Sequence, residues 1–343
     1  MNHIERFYAT IERKPVDRPA SWLGLPVKSA LPKLYECFGV SSEDELKRAV
    51  DDDIYTVELP YHSPTSNAIY AAFDFAKEGK CDEEERTLTA PGFFEDYDDP
   101  TKVNDFDWPD PLKYIDPAEC RRVVEGTPKD CAVMGVVWSA HFQDTCAAFG
   151  METALVKMLA EPEMYNAVND KIVDFYLKAN EIFYGATKGK LHAVLIGNDL
   201  GSQTGLMISP ALIRKFVLPG TRKLVEQAKC YGLKVIHHSC GAILDIIPDL
   251  IEIGVDVIHP IQALAKGMEP KQLRVEFADK VSFCGGVDAQ NLLVNGTPQQ
   301  VREKVLELKS LFPTGLIISP SHEAILPDIM PGNIKALFNA VKE

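Results

Sequence analysis

Short apolar runs alternate along the chain with longer stretches whose apolar residues recur at helical spacing. That alternation predicts βα units feeding one parallel sheet. Eight runs read as strands: 20–25, 54–59, 131–138, 192–196, 233–237, 255–258, 280–284 and 316–318. Eight parallel strands close a barrel, so the expected fold is an α/β (β/α)8 TIM barrel, one domain over residues 1–343.

The helical stretches carry start and stop signals. Ser209-Pro210 predicts an N-cap with proline at the first helical position, and Pro219 predicts a kink or a split before the end near Gly232. Thr297-Pro298-Gln299-Gln300 reads as a capping box, with Val301, Val305, Leu308 and Phe312 facing the barrel wall. Residues 162–185 repeat an apolar face at Val168, Ile172, Phe175, Ala179 and Ile182, and Gly254 ends a helix that starts near Ala242. Residues 60–127, rich in Asp, Glu, Pro and Gly, are too long for a βα loop. They read as an insertion after the second strand, with a small hairpin around 86–96, that caps the barrel mouth or merely elaborates the surface.

Composition narrows the function. The formal net charge of -14 disfavours a phosphate backbone, so no nucleic acid partner is expected. The start, MNHIERFYATIERKPVDRP, lacks a signal-peptide core, and no apolar run reaches the ~18 residues of a membrane span. A cytoplasmic chain with no membrane association is expected, compatible with a homodimer. The eight cysteines are scattered, which predicts reduced thiols over a disulfide framework.

Barrel chemistry sits at the C-terminal ends of the strands. His238 and Cys240 stand there in KVIHHSCG, two residues apart on extended chain, so both side chains point the same way. Imidazole and thiolate are zinc ligands, although such a pair is also found as a satisfied histidine beside a small buried thiol. The last strand runs into SPSHE, which presents His322 and Glu323 at the same mouth. His238, Cys240 and His322 would make three protein ligands with one position open, the arrangement of a catalytic zinc. Glu323 is a fourth ligand or a catalytic partner; Cys284 is the rival third ligand, or a buried residue beside a glycine turn. Asp199, after the fourth strand, reads as a catalytic or substrate-orienting carboxylate or as a loop cap. Trp138, Gln262 and Asp288, at or after strands three, six and seven, are candidate substrate contacts, Trp138 being equally suited to packing. His62 reads as a solvated loop residue, and Gly285-Gly286 lacks a phosphate-loop pattern.

Four segments carry a resemblance: HHSCGAILDIIPDLIEIGVDVIHPIQ, GNDLGSQTGLMISPALIRKFVLPG, FCGGVDAQNLLVNGTPQQV and ISPSHEAILPDIMPGNIKAL, with VDRPASW at the first strand. The chain resembles the uroporphyrinogen decarboxylase-like superfamily over nearly its whole length, and most of all its branch of cobalamin-dependent methyltransferases. The resemblance implies a (β/α)8 barrel with zinc bound by a His-x-Cys pair and a later cysteine. His238 and Cys240 match the pair; the later cysteine falls at His322. A neutral ligand there raises the net charge of the site and makes the metal a stronger Lewis acid.

True uroporphyrinogen decarboxylases use an arginine-rich stretch after the first strand, whereas SWLGLPVK here has no arginine. A substrate with many carboxylates needs several cations. The resemblance therefore implies a zinc methyltransferase acting between a small thiol or methyl ether and a corrinoid (cobalamin) on a separate carrier protein. The alternatives are a cofactor-free decarboxylase of a small carboxylated substrate, with Asp199 as the acid or charge stabiliser, and a binding protein with a saturated structural zinc.

Overall fold

The computed structural model describes residues 1–76 and 89–343. Its strands are β1 (Leu25–Pro26), β2 (Ile54–Glu58), β3 (Ala132–Trp138), β4 (Ala193–Gly197), β5 (Lys234–His238), β6 (Val257–Ile261), β7 (Ser282–Val287), β8 (Leu316–Pro320) and β9 (Ala324–Ile325). Strands β2 to β8 form one parallel sheet in sequence order, as right-handed βα crossovers require. Even-numbered positions such as Met134, Val136 and Ile236, with Leu195 and Val257 from neighbouring strands, fill the barrel interior. Phe7 and Ile11 of the N-terminal helix His3–Ile11 join that interior cluster and close its lower end.

The predicted first strand, 20–25, takes a different form. Ser21 makes a lone parallel bridge to Ile318 of β8. Trp22 N–H donates to Ile318 (3.1 Å), and Ile318 N–H to Ala20 (2.8 Å). On the other side the partners are largely side chains. Asp53 accepts from Ser21 N–H at 2.9 Å and Asp52 from Leu23 N–H at 3.0 Å. Two carboxylates thus replace part of a backbone ladder and close the barrel between its first and second strands. Leu25–Pro26 then turns away to pair with β9.

Asp53 is fully buried and surrounded by cations. Arg6 Nη1 lies 2.7 Å and His3 Nδ1 2.7 Å from Oδ1, and Arg18 Nη1 lies 2.6 Å from Oδ2. Burial alone would raise its pKa; His3, Arg18 and Arg6 together hold it below the usual carboxylate value. Asp52 lacks such partners, and burial pushes it up to about 7.

Several local predictions are realised with changes. Ser209 caps Pro210–Leu212, after which the chain makes a π turn over Ile213–Val217 before the helix Leu218–Cys230. Pro219 falls in the first turn of that second helix, where its missing N–H costs nothing, so the expected split is made by a π turn. The capping box at Thr297 and Gln300 is present and opens Pro298–Leu311. The helix expected from Ala242 begins later, as one 3₁₀ turn at Leu244–Ile246 and then Ile247–Glu252. Pro248 at its start fixes where the α-helical turn can begin.

Residues 60–127 follow β2 as expected. Their Asp-Pro pairs have a simple cause. Asp99, Asp110 and Asp116 each cap a short helical segment (Pro100–Asp105, Pro111–Tyr114, Pro117–Glu125) whose first residue is proline. Aromatic residues fasten the insertion to the helix Pro162–Ala186; Phe73 and Phe175 have ring centroids 4.7 Å apart. Part of the hairpin expected at 86–96 lies outside the described residues; the remainder includes a single antiparallel bridge, Ala76 to Gly92. Among the described residues no helix is long and apolar enough to cross a membrane. Their seven cysteines are all free; Cys81 lies outside the described residues.

Candidate metal centre

Strand periodicity places the central histidine. Ile236 points into the barrel, so His238 does as well, while His237 faces the helical layer. There His237 is fully buried without a hydrogen-bond partner on either nitrogen, and burial drives its pKa down to about 3. His238 pairs in register with His259 of β6, which shares the inward direction of Val257.

The two nitrogens of His238 face different partners. On one side, Nε2 lies 3.2 Å from Asp199 Oδ1 and 3.4 Å from Cys240 Sγ. On the other, Nδ1 lies 3.0 Å from His259 Nδ1 and 3.4 Å from Glu323 Oε2. Asp199, His238 and Cys240 form one compact group of donor atoms; His238, His259 and Glu323 form a second, fully buried one. Zinc bond lengths of about 2.0–2.3 Å put tetrahedral ligand atoms roughly 3.3–3.7 Å apart. In the first group the two separations from His238 Nε2, 3.2 and 3.4 Å, are close to those values, and all three donor atoms, oxygen, nitrogen and sulfur, lie within 4.8 Å of one another, so its residues fit a zinc ion.

Electrostatics couple the same side chains. Burial opposes charge on His238, but Glu323, Asp199 and Cys240 raise its pKa well above the ordinary imidazole value. Asp199 would be raised by burial, yet the His238 hydrogen bond and charge hold it at about 2. His322 is raised, chiefly by Cys240, so its ring stands beside that sulfur. Its Nδ1 accepts from Ala324 N–H at 3.0 Å, and its centroid is 6.2 Å from that of His238. His322 is thus brought to the cluster, while the compact group is completed by Asp199.

The remaining candidates separate clearly. Trp138 meets His238 edge-on, with centroids 6.2 Å apart. Trp138 and Ser139 have φ of 51° and 58°, a left-handed pair that non-glycine residues rarely adopt. Gln262 Oε1 accepts from Gly241 N–H at 2.7 Å, which ties up its oxygen in holding the loop that carries Cys240. Asp288 accepts from three backbone N–H groups, those of Gln290, Asn291 and Leu292, so its carboxylate holds the turn after β7. Cys284 is packed in the barrel interior, its thiol pKa raised by burial, and belongs to neither donor group. His62 is exposed and bonded to Asn67 and Glu119. His141 is buried between Asn169 and Thr221, its pKa lowered by burial to about 4. Sequence reasoning missed His259; the signal available was its inward parity at the same strand level as His238.

The loops after β4 and β5 touch backbone to backbone. Asp199 Oδ1 accepts from Cys240 N–H at 2.8 Å, and Ala242 N–H donates to Ser202 at 2.7 Å. Gly241 has φ 82°, and a Cβ there would meet the Gly201 carbonyl carbon at 2.5 Å. Gly241→Ala is therefore expected to displace the loop and, for zinc held by His238 and Cys240, to weaken its binding about 10–100-fold, the usual cost of disturbing a ligand's support. Competition with a zinc chelator would measure it; unchanged affinity would show that loop contact to be dispensable.

Residues 85–343 match the family model described as uroporphyrinogen decarboxylase (URO-D). The chain belongs to the URO-D family. Its relatives include proteins of two kinds. The methylated-thiol–coenzyme M methyltransferase of Methanosarcina mazei is 26% identical over 46% of this chain and 40% of its own length. The uroporphyrinogen decarboxylase of Gloeobacter violaceus is 27% identical over 65% of this chain and 61% of its own. The matches thus span less than two thirds of either relative. A solved structure of a methyltransferase from Methanosarcina mazei covers 99% of this chain and 98% of its own, with TM-score 0.68 at 15% identity. That likeness establishes the TIM-barrel-like fold of the URO-D family for this chain.

Proposed function

We propose that this URO-D family chain is a zinc-dependent methyltransferase. It would move a methyl group between a small thiol or methoxy compound and a corrinoid on a separate carrier protein. The observation that carries this reading is the Asp199, His238 and Cys240 group at the barrel mouth, whose donor atoms fit zinc. A relative named as a methyltransferase supports the reaction class.

His238 Nε2 and Cys240 Sγ would hold the metal, with Asp199 or His322 as the third ligand. Bound zinc would supply a Lewis acid for a thiol sulfur or a leaving oxygen. The chain's own residues do the rest. Glu323 Oε2 has no hydrogen-bond partner and lies beside His238 and His322, where it can take up or return the substrate proton. Asp199, charged throughout the neutral range, orients Cys240 through its backbone N–H. Trp138, edge-on to the His238 ring, would wall the substrate's side of the centre, and the carrier would have to reach these same strand ends. The described thiols, all free, suit a reducing cytoplasmic setting.

A second reading, metal-free decarboxylation of a small carboxylate with Asp199 as the charged group, is favoured by the decarboxylase relatives. Elemental analysis and a corrinoid assay decide between them. Purified protein should hold about one zinc per chain and should either methylate cob(I)alamin from a methoxy compound or demethylate methylcobalamin with a thiol. Zinc-free protein that releases carbon dioxide from a carboxylate would replace the first reading with the second.

A further inference from the structure

Glu323 stands in the centre without a hydrogen bond to hold its carboxylate. Its Oε2 is sealed from solvent and has no hydrogen-bond partner, yet it lies 3.4 Å from His238 Nδ1 and 3.5 Å from His322 Nδ1. A side chain without such a tether is placed by its backbone. The backbone of this turn is held from two sides. On the β7 side, Ser321 N–H donates to Val287 at 2.7 Å, and Ser321 Oγ accepts from Ala289 N–H at 2.9 Å. On the other side the donors come from the start of the chain. Leu25 N–H donates to the Glu323 carbonyl at 2.7 Å, and Val27 N–H to Ile325 at 3.1 Å.

The contact with Glu323 requires glycine at position 24. Gly24 has φ 89°, and a Cβ there would stand 2.4 Å from the Glu323 carbonyl oxygen and 3.3 Å from its carbon. Both are backbone atoms, which cannot swing aside as the tip of a flexible side chain can. The segment before Gly24 is pinned as well. Leu23 N–H donates to the buried Asp52 carboxylate at 3.0 Å, and Trp22 N–H to Ile318 at 3.1 Å. With the chain fixed immediately before and after residue 24, an added methyl group must displace the Glu323 carbonyl.

We propose that Gly24 is a positioning residue: by having no side chain it lets the first strand clamp the Glu323 carbonyl, and this clamp sets the Glu323 carboxylate against His238. What Glu323 does there rests on the methyltransferase reading; where it stands rests on the clamp alone.

The test uses full-length protein, each variant being checked for folding by circular dichroism. In the wild type the Leu25 amide should exchange with deuterium at least about a hundredfold more slowly than an open-chain amide. That measurement needs no variant and stands if Gly24→Ala does not fold. The control is Gly39→Ala, with a comparable φ of 68° but no atom within 4 Å of the added Cβ. In metal-free Gly24→Ala the ring-nitrogen signals of His238 and His322 should move, while that of His62 on its exposed loop stays. In Gly39→Ala none of these should move. For demethylation of methylcobalamin by 2-mercaptoethanol, Gly24→Ala should lower kcat about a hundredfold, the cost of a small misplacement, with KM for the thiol within about threefold of wild type. In a Glu323→Gln background the same substitution should cost less than about threefold, because the carboxylate it displaces is already gone. A freely exchanging Leu25 amide would overturn the proposal. So would histidine signals that stay in folded Gly24→Ala or move equally in Gly39→Ala, or a full kcat loss that persists in Glu323→Gln. Moved signals in a protein that transfers no methyl group would instead remove the methyltransferase reading and leave the clamp standing.

Discussion

Replacing His238 by alanine is expected to empty the proposed metal centre, with zinc falling below about a tenth of the wild-type content and the proposed methyl transfer dropping by about a thousandfold, the several kcal/mol that a Lewis acid supplies. The reason is its position. His238 is shared by both donor groups, and its ring separates Asp199 and Cys240 on one side from His259 and Glu323 on the other. Without the imidazole, Asp199, Cys240 and the neighbouring His322 lose the one ligand common to both groups, and His259 loses its buried partner. The fold should persist, because the interior cluster below does not include His238. His62→Ala is the matched control, since His62 sits on an exposed loop with Glu119 and should leave zinc and activity unchanged. Equal zinc in wild type and His238→Ala, by mass spectrometry of the dialysed proteins, would remove the centre from the account.

The second large effect concerns stability. Asp53→Asn should cost about 3–5 kcal/mol, the range for removing one charge from a buried ionic cluster. Asparagine keeps an oxygen for Ser21 N–H, so the loss isolates the charge facing Arg6, Arg18 and His3. The pH dependence has a definite sign. Asp53 has a folded pKa below its unfolded one, so its contribution is complete above the unfolded carboxylate pKa. It disappears as pH falls through the folded value. Urea unfolding of the two proteins should therefore differ most near neutrality and converge in acid. A constant difference from pH 7 to pH 3 would assign the loss to packing instead of charge.

These two residues also show what the chain discloses before it is folded. His238 and Cys240 were readable because a strand end in a barrel is a privileged place and because their spacing alone aligns their side chains. His259 was hidden for the opposite reason: inside an apolar strand a histidine looks like core, and only strand register sets it against His238. Asp288 stayed ambiguous because a carboxylate after a strand reads the same whether it faces a ligand or caps a turn; only the folded turn shows its three backbone donors. The first strand was legible as an apolar run, but not its pairing, since the carboxylates that hold it come from a segment some thirty residues later. The insertion was recognisable by length and composition, whereas its attachment to Pro162–Ala186 rests on aromatic contacts between distant segments.

The centre is carried on two separately braced pieces of frame. Asp199, His238, Cys240 and His259 ride on neighbouring strands whose following loops are tied together, Asn198 to His238, Ser239 to His259, and Lys266 to Gln203. His322 and Glu323 ride on the turn between β8 and β9, anchored to Leu25 across the barrel seam. A change confined to that turn acts on its two donors and leaves the four strand-borne ones on their own frame. Position 322, where the family resemblance implies a cysteine, is thus the place at which this scaffold can carry an imidazole in place of a thiolate without rebuilding the strands that hold the rest.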